Sequence, residues 1–150
     1  FALLAIDVDD LKAVNDGYGH AAGDALLVAI GHVLASVARK GETLARIGGD
    51  EFVLLIPDAS EEAPAVVARR AEGAVAGLNL PTGPARVSVG WASGAAGDDP
   101  YLVLQRADAQ LYVAKTGKGG SGSSTRSLTL AKESDSAEVK VTTDGSNARE

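Results

Sequence analysis

The sequence predicts an α/β fold, a sandwich of helices on a largely antiparallel sheet, in the order β-α-β-β-α-β-α. Three observations carry this reading. "FALLAI" (1–6) is a wholly apolar run of strand length ending at Asp7, as a buried central strand does. Between Asp24 and Arg39, apolar residues recur at Leu27, Ile30, Leu34 and Val37, a continuous stripe at helical spacing. "ETLARI" and "DEFVLLI" are strand-like runs parted by Gly48 and Gly49. Two glycines there signal a hairpin, because both central positions of the favoured turn need positive φ.

The remaining elements follow in order. Residues 60–78 read as a helix with Val67, Ala71, Val75 and Leu78 inward. "RVSVGWA" (86–92) alternates Val87, Val89 and Trp91, the period of a strand. Pro100 to Lys115 reads as a helix with Leu104, Ala107, Leu111 and Ala114 on one face. Near residue 118 the composition changes: almost half of residues 119–150 are Gly, Ser or Thr, with no aromatic among them. That stretch reads as a linker or disordered tail after a single domain over 1–118.

Composition narrows the chemistry. Apolar residues make up 45% of the chain but aromatics only 4%, so the core is built from Ala, Val, Leu and Ile. The absence of cysteine excludes a disulfide scaffold, a thiolate zinc site and a cysteine nucleophile. No uninterrupted apolar run approaches membrane-spanning length and no signal peptide is visible. A cytoplasmic domain making no membrane contact of its own is expected. The net charge of −6 argues against a nucleic-acid groove, which needs a basic face. Small phosphorylated ligands remain compatible if metal ions neutralise the carboxylates.

The acids are placed for that. Asp7 ends the first strand, and Asp50 and Glu51 open the third. If those strands are neighbours, their carboxylates converge at one end of the sheet. Carboxylates, a backbone carbonyl and substrate phosphates form the hard-oxygen environment that Mg²⁺ prefers. A single strand-end acid is often merely solvated; three at two matching ends favour a metal site. "DVDDLKAVNDGYGHAAGDALL" (7–27) has the polar density of a connection over a binding cleft. Lys12 is placed to neutralise a phosphate there, with Asn15 and Asp24 bonding a purine edge. Asp24 is equally explained as a helix N-terminal charge, and His20 as a cap or a ligand contact. His32, inside the helix, is a packing or surface residue. Other motifs fail on detail: "DVDDLK" has Lys12 where a calcium loop needs glycine, "GYGHAAG" misses G-x-G-x-x-G by one residue, and "TGKGGSGSS" lacks Walker A spacing.

These residues resemble a known family, the GGDEF domains of diguanylate cyclases. "RIGGDEF" matches the signature, and D-x-D-x-x-K-x-x-N-D-x-x-G-H-x-x-G-D is in register from Asp7 to Asp24. "VSVGWA" and "ADAQLYVAK" resemble the family's later strand and last helix. The resemblance implies a nucleotidyl-cyclase-like, polymerase-palm-like fold that condenses two GTP into cyclic di-GMP and pyrophosphate. It assigns two Mg²⁺ or Mn²⁺ per active site to Asp7, the Val8 carbonyl and Asp50. Deprotonation of the attacking 3′-hydroxyl falls to Asp50 or Glu51. Guanine recognition falls to Asn15 and Asp24 with His20 beside them, and phosphate contacts to Lys12, Lys115 and the N–H groups around Asp10 and Leu11. Gly48 and Gly49 let the hairpin backbone approach the nucleotide. A homodimer with one GTP per half-site, and an upstream sensor that can tether the domain to a membrane, are implied as partners. Arg39 and Glu42 match an R-x-x-D pair that grips product, the acid one methylene longer here. The family also carries a helix and a D-x-L-T-G-L-x-N-R segment before the first strand, where this chain begins at the strand itself, and Lys118 stands where it has arginine. The alternative is a non-catalytic module that binds GTP or cyclic di-GMP, although such a receptor has no need of metal ligands.

Overall fold

A computed structural model describes residues 1–117. The expected tail over 119–150, and Lys118, lie outside the described residues. Four strands form one antiparallel sheet in the order β2-β3-β1-β6: β1 is Ala2–Val8, β2 Thr43–Arg46, β3 Glu51–Ile56 and β6 Val87–Ser93. The predicted α/β sandwich is what forms.

β1 is central and buried along its whole length. Its even-numbered side chains, Leu4, Ile6 and Val8, join Phe52, Leu54, Ile56, Val87 and Val89 on one face. Against them lie α2 (His20–Val37), through Leu27, Ile30, Leu34 and Val37, and α3 (Ala63–Ala76), through Val67, Ala71 and Val75. Helix α2 reaches a mean hydropathy of 1.4 over 18 residues, long and apolar enough by length and composition to cross a membrane. Here its apolar stripe is packed on the sheet.

α4 (Pro100–Gly117) covers the opposite face. Gly90 of β6 permits this: a Cβ there would collide with the α4 backbone at Ala107 and Leu111. Val103 and Ala107 are the fully buried residues of α4, whereas Leu104, Leu111 and Ala114, expected inward, are half-buried.

Three local expectations are corrected. The connection after β1 contains a helix of its own, α1 (Leu11–Tyr18), with Leu11 and Val14 packed on the core. A short hairpin, β4 (Asn79–Leu80) with β5 (Gly83–Pro84), precedes β6. The Gly48-Gly49 hairpin does form, pairing Thr43 with Leu55 and Arg46 with Phe52. Neither glycine, however, has positive φ. The loop is wider than a two-residue turn, closed by the Ile47 and Gly48 N–H groups donating to the Glu51 carbonyl at 3.0 and 3.3 Å.

Candidate active site

Antiparallel pairing sets Asp7 opposite Glu51 on one side and Ser88 on the other. Directly opposed residues share a sheet face, so these three form a row across the end of the sheet, on the face α4 covers. Asp50 is the last loop residue before β3, and its carbonyl accepts the Val8 N–H at 2.9 Å, locking the loop onto the end of β1. Carboxylate oxygens of Asp7, Asp50 and Glu51 come within 4.8 Å of one another. The convergence expected of the three acids is present.

The electrostatics of this cluster are unbalanced in a telling way. Asp7 is 8% exposed. Burial pushes its carboxyl above the usual range; Lys115 opposes that shift, and the charges of Asp50 and Glu51 reinforce it. Lys115 Nζ approaches Asp7 Oδ1 to 2.6 Å as an ion pair. Oδ1 is buried, and the Lys115 ammonium is its charged partner. Three crowded carboxylates answered by one ammonium are a donor set that fits a hard divalent cation. Asp108 of α4 extends the acidic surface; burial, then the Glu51 charge, pushes its carboxyl up as well.

The other expected residues fall into separate places. The Asn15 carboxamide of α1 lies over Gly23 of α2, and Asp24, the next residue of α2, is exposed. Asp24 is the fifth residue of α2, so it is no first-turn charge. His20 is exposed and opens α2 without capping it, since Gly19 is the N-cap. Lys12 is exposed and paired with Asp16 at 2.5 Å on α1. Arg39 and Glu42 sit apart, in the turn from α2 to β2. There the Glu42 carboxylate accepts the Arg39 N–H at 2.8 Å. A Cβ at Gly48 would meet the Glu51 carboxylate, which folds back over it, so a larger residue there displaces that side chain; Gly49 is open.

Some residues of the site have no signal in the local pattern. Arg46 clamps the loop, donating from Nε to the Gly48 carbonyl at 3.2 Å and from Nη2 to the Gly49 carbonyl at 2.8 Å. Ser88, 1% exposed, donates to Asp9 Oδ1 at 2.8 Å, while the Asp9 N–H donates to the Arg86 carbonyl at 3.0 Å. Asp10 holds a left-handed conformation (φ 60°) at the start of α1, braced by its ion pair with Arg86. A depression at the start of α4 is lined by Asp98, Leu102 and Arg106 among others. It lies on the half of α4 away from Lys115, and its Asp98 and Arg106 already pair at 3.8 Å.

With this geometry fixed, the likeness to known proteins has a structural meaning. Residues 1–121 match the family described as "Diguanylate cyclase, GGDEF domain". The chain belongs to that family. It is 38% identical over 116 residues to diguanylate cyclase DgcM of Escherichia coli K12, covering 77% of this chain and 28% of that protein. To diguanylate cyclase TpbB of Pseudomonas aeruginosa it is 36% identical over 128 residues, 80% of this chain and 29% of that protein. The chain therefore spans less than a third of the length of either relative. Among solved structures, the GGDEF domain of DgcB from Caulobacter crescentus, in complex with c-di-GMP, superposes with a TM-score of 0.70 at 32% identity. That likeness covers 77% of this chain and 72% of the other. The acidic cluster of this GGDEF domain is built from its signature residues, Asp50 and Glu51, together with Asp7.

Proposed function

We propose that this GGDEF domain is a diguanylate cyclase, joining two GTP molecules into cyclic di-GMP with release of pyrophosphate. The observation that carries the reading is the carboxylate cluster itself, three acids whose ligand oxygens lie within 4.8 Å of one another with Asp7 buried among them. Asp7, the Val8 carbonyl and Asp50 hold two Mg²⁺ or Mn²⁺ ions. Bound there, the metal neutralises phosphate charge and stabilises an in-line displacement at phosphorus.

The protein's own groups do the rest. Asn15 and Asp24, with His20 beside them, read the guanine edge. Lys12, Lys115 and the backbone N–H groups around Asp10 and Leu11 hold the phosphates, so Lys115 exchanges its pairing with Asp7 for substrate. Gly48 and Gly49 leave room for the nucleotide against the loop that Arg46 clamps. Asp50 or Glu51 accepts the 3′-hydroxyl proton as that oxygen bonds to the α-phosphorus of the other GTP and pyrophosphate leaves. Two such bonds close the ring. Each half-site holds one GTP, so the working unit is a homodimer. The domain over 1–118 operates in the cytoplasm under an upstream sensor, without nucleic acid.

The test is Asp50→Ala. Turnover is expected to be abolished while circular dichroism keeps the wild-type signal. Wild-type pyrophosphate release by the folded variant would defeat the assignment.

A further inference from the structure

Gly23 lies inside α2, where glycine costs stability relative to alanine by freeing the unfolded backbone. It is nonetheless buried. A Cβ built there falls on Asn15 Oδ1 and comes to 2.9 Å from Asn15 Cγ and 3.3 Å from Leu11 Cδ1. All three are ends of side chains projecting from α1. The volume of the absent methyl is thus occupied by the Asn15 carboxamide. The next residue along α2 is Asp24.

We propose that Gly23 is a positioning residue that sets base specificity: its missing methyl leaves the space in which the Asn15 carboxamide is held, against the α2 residue that precedes Asp24. The inference rests on the guanine reading of Asn15 and Asp24 given above. A carboxamide discriminates between bases only when its donor and acceptor face the base edge at hydrogen-bonding distance. Asn15 has rotatable side-chain bonds, so an added methyl at 23 swings the amide away at little cost to the fold. Alanine also favours the helix. Stability and recognition therefore move in opposite directions, which a purely structural glycine does not allow.

The experiment titrates 3′-deoxy-GTP and 3′-deoxy-ATP, which lack the attacking hydroxyl, into the full chain with Mg²⁺ and follows binding by calorimetry. The wild-type protein prefers the guanine nucleotide. Gly23→Ala is expected to weaken 3′-deoxy-GTP roughly tenfold, the worth of one good hydrogen bond, and to leave 3′-deoxy-ATP unchanged. Its melting temperature stays level or rises. Asn15→Ala weakens 3′-deoxy-GTP alike, and the double variant is no weaker than Asn15→Ala alone. A Gly23→Ala protein that keeps the wild-type preference, weakens both nucleotides equally, or unfolds would overturn the inference while the guanine reading stands. Equal binding of both nucleotides by the wild-type protein would overturn that reading and this inference with it.

Discussion

Replacing Gly90 by alanine tests how α4 is held over the site. The new methyl would fall on the Leu111 amide nitrogen and the Ala107 carbonyl oxygen, and 2.7 Å from Leu111 Cα. Non-bonded carbons settle near 3.5–4.0 Å, so α4 has to retreat by roughly 1 Å. These are backbone atoms, and no rotamer change relieves them. The retreat opens a gap over Val103 and Ala107, both fully buried, and forfeits a quarter to a half of their dispersion contacts. Overpacking of this kind costs about 1–3 kcal/mol or more. The reduced entropy of the unfolded alanine chain returns only about 0.4–1 kcal/mol, so destabilisation wins, by about 1–2 kcal/mol. That is a large share of a typical total of about 5–15 kcal/mol. Trp91, the only tryptophan and the next residue in β6, reports the transition by fluorescence in urea. A lower midpoint is expected. A midpoint at or above wild type would refute the reasoning about α4.

Two further outcomes follow from the charges. Burial and Glu51 raise the Asp108 pKa above 3.8, so the folded state holds this proton more tightly than the unfolded chain. Its ionisation therefore removes stability as pH rises from 3.8 through the folded-state value. Asp108→Asn should melt above wild type at pH 7, with the gap closing toward pH 3.8; a pH-independent gap would reject the burial argument. The Glu42 carboxylate is engaged by the Arg39 N–H, so product feedback through Arg39 and Glu42 should be weak or absent, and Glu42→Asp should strengthen it. Calorimetric titration with cyclic di-GMP decides, and tight binding by the unmodified protein that vanishes in Arg39→Ala would contradict this.

What the sequence made legible was whatever local periodicity encodes. The apolar run of β1 and the Leu27–Ile30–Leu34–Val37 stripe formed as read, because each buries one contiguous surface. The three acids converged because strand neighbours placed them at a common edge. Helix α1 was obscured: only Leu11 and Val14 pack inward, and Lys12, Asn15, Asp16 and Gly17 supply a loop-like composition around them. The loop at Gly48-Gly49 departed from the favoured turn because Arg46 and the Glu51 carbonyl hold it in a wider form. The Lys115–Asp7 pair and the Ser88–Asp9 bond join residues 108 and 79 positions apart along the chain, and no spacing rule reaches that far.

The most direct measurement is the product itself. The chain is incubated with GTP and Mg²⁺ and the reaction is resolved by mass spectrometry. Cyclic di-GMP and pyrophosphate are expected, with none formed from ATP and none after chelation of the metal. GTP left intact by the folded, metal-loaded protein would contradict the account.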